Sequence, residues 1–256
     1  MKKRKHFIQL LLIVGLLFAL ATACDKTDDP DGDFPSAGTV KDIDGNKYNT
    51  VKIGNQVWMV ENLKTTKYND GTQIPNLSDD NQWLVTTDAY CNYDNLESNA
   101  ATYGRLYNGY AVKTGKLAPA GWRIPNDADW IILRNYLIAN GYNFDGTKDE
   151  DKVAKSLCAK TNWALSSEPG TPGAAPENNN RTGFTALPGG YRYVIFGNNP
   201  EAHFSGIGKY GEWWSTTELD KGGGYGRLWE LKYNHDYLDG YRTDMVCGHS
   251  VRLIKD

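Results

Sequence analysis

The strongest helical pattern in the chain lies in "NDADWIILRNYLIANG". Trp130, Leu133 and Leu137 recur at the spacing of one helix face. Asn126 is a good N-cap and Asp129 follows three residues later, while Asp127 and Asp129 place negative charge in the first turn. Asn140-Gly141 supplies the stop. The spacing predicts a helix over 127–139 with Trp130, Leu133 and Leu137 buried. A second helix is predicted over 149–160, with Val153, Leu157 and Cys158 turned inward. In "TYGRLYNGYAV", Leu106, Tyr107, Tyr110 and Ala111 also sit at helix-like spacing, weakened by Gly104 and Gly109.

Elsewhere the pattern shortens to strand-like runs. Residues 39–63 carry β-prone segments broken at Asp44-Gly45 and Gly54-Asn55, with Val51 and Ile53 before the second turn and Val57 and Met59 after it: a meander. Residues 64–88 are polar and read as loop, with a turn at Asn69-Asp70-Gly71. "SSEPGTPGAAPENNNR", residues 166–181, is a long Gly/Pro/Asn loop. Beyond it, strands are predicted over 183–193, 211–217, 226–233, 237–242 and 249–254. Pro188-Gly189-Gly190 marks a tight bend, and Gly222-Gly223-Gly224 lacks the following helix that a phosphate loop needs. Helices in the middle and an antiparallel meander in the C-terminal half give α+β.

The N-terminus follows a different rule. Lys2, Lys3, Arg4 and Lys5 precede an apolar run from Phe7 to Leu20, which has signal-peptide length and falls short of the ~20 residues of a spanning helix. Ala21-Thr22-Ala23-Cys24 then admits two processing routes: lipidation of Cys24, or ordinary cleavage after Ala23. Lipidation is favoured because "CDKTDDPDGDFPSAG" follows at once, a self-repelling spacer without apolar period. The expected organisation is a signal peptide over 1–23, an acidic tether over 24–38 and one domain over 39–256. The expected location is the outer membrane or cell surface, with the periplasm as alternative.

Composition narrows the function. The chain has 28 Lys and Arg, 31 Asp and Glu and net charge −3, and loss of the basic leader takes it near −7. No basic cluster remains for a phosphate backbone, which excludes nucleic acid as a partner. Cys91, Cys158 and Cys247 cannot all pair within one chain and read as buried free thiols. No spacing suggests a metal site, and no cofactor motif is present.

Two kinds of chemistry compete. His249 and Cys247 would share a strand face and suit a base and nucleophile. Glu212 with Glu218, or Asp236 with Asp239, are the carboxylate pairs available for glycosidase work. An enzyme acting on extracellular polymers would need a tight, buried cluster joining a Cys or His to two carboxylates. The binding reading rests on rings crowded into the last strands, where flat aromatic faces suit sugars. Its candidate ligand-binding residues are Trp213, Trp214, Arg192, Arg227, Trp229, Tyr241 and Arg242, with Tyr233 and Tyr237 nearby. Trp213 and Trp214 face opposite ways on a strand, so one is expected in the core and one outside. The expected function is therefore a binding or adhesion module for a glycan or surface protein, with the enzyme or a structural surface component as alternatives.

Several stretches carry a resemblance. "DGNKYNTVKIGNQVWMVENL", "AYCNYDN", "YGRLYNGYAVKTGKLAPAGWRIPNDADW", "GFTALPGGYR", "WWSTTE" and "SVRLIKD" resemble the Fibrobacter succinogenes major paralogous domain, in that family's order and over nearly all of 39–256. The resemblance implies an exported, lipid-anchored bacterial context more than an activity. The acidic tail likewise resembles that of surface lipoproteins from Bacteroidetes-type bacteria. The family commonly has cysteine where Ala118 and Leu253 stand here, so the resemblance implies that a bridge has been replaced by packing; Cys158 and Cys247 are weak substitutes. More distantly, "RIPNDADW" resembles an element of formylglycine-generating-type sulfatase modifiers, which implies a C-type-lectin-like fold with two main helices. That activity would need copper-holding cysteines, which the spacing here does not offer. The calcium signatures of C-type lectins are absent.

Overall fold

The helix over 127–139 forms where its spacing places it, and most other elements are short. The computed structural model describes residues 33–84, 87–217 and 224–256. The expected signal peptide, Cys24, most of the tether and Glu218 lie outside the described residues. In chain order the elements are β1 (Ser36–Lys41), β2 (Lys47–Ile53), β3 (Gln56–Met59), α1 (Asp80–Trp83), β4 (Tyr90–Cys91), α2 (Glu97–Tyr103), β5 (Leu106–Asn108), α3 (Gly109–Lys113), β6 (Trp122–Arg123), α4 (Asp127–Ala139), α5 (Ala154–Leu157), β7 (Gly189–Ile195), β8 (Glu201–Ile207), β9 (Tyr210–Ser215), β10 (Tyr225–Lys232), β11 (Asp239–Asp244), β12 (Gly248–His249) and β13 (Ile254–Lys255). Antiparallel pairing builds three curled sheets, in the orders β1-β2-β3-β13-β6, β11-β10-β9 and β4-β5-β12-β7-β8. The result is a β-rich α+β fold. The N-terminal meander is closed by the last strand, which inserts between β3 and β6.

α4 anchors the main core. Asn126 and Asp129 close a capping box, and Arg123 grips Asp129 through two nitrogens at 2.5 and 2.8 Å. Behind the cap, Trp130 stacks on Trp229 at 6.0 Å and 14° and lies 4.9 Å from Trp58. Phe184 and Trp213 complete this aromatic centre. Trp130, Leu133 and Leu137 are all buried, as the spacing requires.

The remaining elements correct the sequence reading in places. The expected helix over 149–160 shrinks to the four residues of α5. Asn143 holds the preceding loop by accepting from the Lys152 N–H and donating to the Glu150 carbonyl, which fixes those groups outside a helix. Cys158 then turns extended and bridges to Ala186. The helix-like run at 102–112 splits into the end of α2, strand β5 and α3, because Gly104 adopts φ +82° and an added Cβ there would meet Asn62 at 2.6 Å. The predicted strand over 249–254 becomes two short pairs, β12 and β13. The bend at Pro188-Gly189-Gly190 is present: Gly190 has φ +65° and no room for a Cβ beside the Ser205 carbonyl.

Cys91, Cys158 and Cys247 are buried and unpaired. Burial raises the Cys91 thiol to about 12 and lifts Cys158 as well. Alkylation is therefore expected to spare all three in the native protein and to label all three in denaturant without reductant. Native labelling at any of them, read by mass spectrometry, would contradict that burial.

Candidate binding face

The candidate residues fall into two groups. Trp213 and Trp214 do point to opposite faces of β9, but both are 0% exposed, which corrects the expectation that one ring lies outside. The reason is that both faces of this sheet are covered. Trp213 packs beside Trp130 and Phe184, whereas Trp214 donates its Nε1–H to the Tyr107 carbonyl at 2.7 Å within a second cluster. Trp229 and Arg227 are committed to α4. Asp127 Oδ1 accepts from Trp229 Nε1 at 2.9 Å and from Ser215 Oγ at 2.7 Å, and Oδ2 accepts from Arg227 Nε at 2.5 Å. Arg192 is also fully buried. Its guanidinium lies 4.7 Å from the Trp83 and Phe204 rings and donates to the Leu77 and Ser78 carbonyls and to Asp80, pinning that segment onto β7. Trp213, Trp214, Trp229 and Arg192 hold the fold and present no surface to a ligand, whereas Arg227 stays half-buried with 29% of its side chain exposed. Tyr241 and Arg242 remain exposed, with the Arg242 guanidinium 4.1 Å above the Tyr225 ring.

The sheet's inner polar face holds a charge cluster. Strand register sets Glu212 directly opposite Glu230, and both are buried. Burial and the adjoining Glu212 carboxylate push Glu230 up to about 7, against the Lys232 ammonium 2.9 Å away. His249 Nδ1 lies 2.7 Å from Glu212 Oε2, an ion pair made by proximity more than by hydrogen-bond alignment. Burial opposes charge on this ring, but Cys247 and Glu212 outweigh it and raise it to about 9. The charged ring then donates from Nε2 to Thr243 Oγ1 at 3.0 Å.

This cluster has the composition that an enzyme would require, a His and a Cys beside two carboxylates. Its geometry is different. The two carboxylates sit directly opposite each other on adjacent strands, both buried and each already beside a cation, Lys232 for Glu230 and His249 for Glu212. Among the described residues no group of three His, Cys, Asp or Glu is placed to hold a metal. Strand register gives Glu212 the carboxylate partner Glu230, and Glu218 lies outside the described residues.

Outside the cluster runs a line of half-buried rings that sequence reading missed. Pairing of β7 with β8 puts Tyr191 beside Ser205, Tyr193 beside His203 and Ile195 beside Glu201 on one face, while Arg192 and Val194 turn inward. Tyr193 lies 5.9 Å from Tyr191 and 5.7 Å from His203, and Tyr191 meets Tyr210 edge-on at 5.9 Å. Lys232 links this line to the exposed Tyr241, with its ammonium 5.7 Å from Tyr210 and 5.1 Å from Tyr241. The signal in the sequence is the alternation Tyr191-x-Tyr193, a period of two that puts both rings on one strand face.

With this geometry in view, comparison with known families is decisive on one point. The sequence profile of the Fibrobacter succinogenes major domain matches residues 51–255. The chain belongs to that family. No curated protein matches it, and no solved structure does. In this Fibrobacter succinogenes major domain, Ala118 and Leu253, the two positions where the resemblance leads one to expect cysteine, are both buried in one hydrophobic cluster with Val112, Leu117 and Val251. Packing joins the start of α4 to the last strand there. The "RIPNDADW" stretch acts as a structural clasp: Arg123 holds Asp129 on one side and Asp127 holds β9 and β10 on the other.

Proposed function

We propose that this chain is an exported, lipid-anchored surface protein whose domain, of C-type-lectin-like character, binds an extended glycan without catalysing a reaction. The observation that carries the reading is the continuous line Tyr241, Lys232, Tyr210, Tyr191, Tyr193 and His203. Half-exposed aromatic faces interleaved with polar groups suit successive sugar rings, through C–H contacts and hydrogen bonds. A terminal-sugar pocket would need one deep cavity; a line of rings suits a polymer. The anchor is supported by the basic leader, the apolar run, Cys24 and the acidic tail. No helix of the described residues is long and apolar enough to cross a membrane. The lectin-like reading is supported by a capped helix followed by antiparallel strands that return to the N-terminal meander.

A glycan and cell-wall-polymer panel, run with calcium and with a chelator, tests the binding. Retention on at least one polymer is expected, and silence across the panel would overturn it. Cys24→Ala is expected to move the protein from the membrane to the soluble fraction. Unchanged membrane association would refute the anchor.

A further inference from the structure

A separate cavity of about 320 Å³ opens beside β6, next to the clasp that holds the start of α4. Val112, Ala118 and Ile124 make its apolar side, and Trp122, Arg123, Asn126 and Thr216 its polar side. Gly115 also lines it, exposed and with nothing within 4 Å of an added Cβ, so the cavity is open there. The volume falls at the lower end of small-molecule sites, and an apolar lining with a few placed polar groups is their usual composition.

Two observations set this cavity apart from a packing gap. The chain has eight tryptophans, and all are buried except Trp122, which is half-buried and lines this space. Trp122 packs against the same cluster as Trp214, so its ring is supported from within the domain. Trp58, Trp163, Trp213, Trp214 and Trp229 donate their indole N–H inside the protein, whereas that of Trp122 has no acceptor among the described residues. The second observation is a spare donor on a fixed support. Asn126 Oδ1 accepts the Asp129 N–H at 3.1 Å in the capping box, and its Nδ2 has no acceptor among the described residues. Arg123 is held by Asp129 at 2.5 and 2.8 Å and lies 3.7 Å from Asp256, so its charge is already matched and an anion finds no spare cation here. The cap thus orders these groups before any ligand arrives.

We propose that this cavity binds one neutral N-acetylated sugar ring, with the ring against Trp122 and the acetamide methyl against Val112, Ala118 and Ile124. An aromatic face suits the C–H groups of a sugar. The Trp122 indole N–H and Asn126 Nδ2 donate to the acetamide carbonyl and to ring hydroxyls, and a hydrocarbon would leave both donors unmatched. The site shares no residue with the tyrosine line, so the two readings stand or fall separately.

The test is a chemical-shift titration of the full chain with N-acetylglucosamine and N-acetylgalactosamine, each to about 20 mM, with glucose and glucuronate as controls. At least one N-acetylated sugar is expected to shift the Trp122 indole N–H and the Gly115 amide and to leave Tyr191 and Tyr193 unmoved. Glucose, which lacks the acetamide, is expected to bind at least threefold more weakly, and glucuronate is expected to leave both resonances in place. Trp122→Phe keeps a ring in the same packing but removes the indole N–H, and is expected to weaken binding about tenfold, read at the Gly115 amide. No shift at Trp122 and Gly115 with either N-acetylated sugar, equal affinity for glucose, or equal affinity in Trp122→Phe overturns the proposal. Shifts confined to Tyr191 and Tyr193 would support the tyrosine line and overturn this site alone.

Discussion

Glu230→Gln is expected to stabilise the protein at about pH 8, by on the order of 2–3 kcal/mol, and to flatten the dependence of stability on pH between about 5 and 8. Glu230 is held at about 7, above the 4.5 of an ordinary glutamate, by burial and by Glu212. A raised acid binds its proton more tightly in the folded state. Its contribution is therefore complete below the unfolded value and is lost as pH climbs through the folded one. Glutamine stays neutral beside Glu212 and retains a hydrogen-bonding group there. His249 carries the same sign, because its folded value of about 9 exceeds the ordinary 6.5: its contribution is full below 6.5 and fades as pH rises through 9. Asp151, raised by burial to about 6, adds a smaller term in the same direction. Thermal melts of the wild type should accordingly fall from about pH 5 upward, and the variant should keep only the smaller Asp151 decline and the later, histidine-driven one. A wild-type melting temperature that rises across this range would contradict the buried cluster.

Arg252→Lys is expected to cost about 3–5 kcal/mol, the largest effect of a conservative change in this domain. Arg252 is fully buried, without a carboxylate in hydrogen-bond contact among the described residues. Nε and Nη2 donate to Asn62 Oδ1 at 3.3 and 3.0 Å, Nη1 donates to the Phe184 carbonyl, and the plane lies 4.3 Å from Phe184 and 5.4 Å from Trp213. Burial lowers its pKa to about 9, so the group stays charged at neutral pH. Asn62 also accepts from Trp213 Nε1 at 2.8 Å and donates to the Tyr103 carbonyl at 2.7 Å, so one amide joins three parts of the chain. An ammonium cannot span these acceptors or stack between the rings, and it loses its proton more readily when buried. Equilibrium urea unfolding measures the cost. A loss below about 1 kcal/mol would show that the carbonyls and Asn62 need no guanidinium.

What could be read from the sequence was local. Asn126, Asp129 and the Trp130-Leu133-Leu137 face fix α4 within a few residues, and the turns at Asp44-Gly45 and Gly54-Asn55 fix the meander. Roles decided by distant partners could not be read. Nothing around Trp214 reveals that Tyr107 and Met245 will cover it, and Asp127 meets Arg227 a hundred residues downstream. The Glu212–Glu230 pair exists only through strand register, which no spacing of two residues in separate strands announces. Tyr191 and Tyr193 did carry a readable period of two, but their exposure depends on which face of β7 meets the core.

The central claim is that the tyrosine line is the ligand surface, and the most direct measurement compares the wild type with Tyr191→Ala/Tyr193→Ala on the polymer that the wild type retains. Both rings are half-buried on an outer face, so the double variant should melt close to the wild type. The account predicts at least a tenfold loss of affinity, about 1.4 kcal/mol, with folding preserved. Undiminished binding by a folded double variant would contradict it and place the ligand elsewhere on the domain.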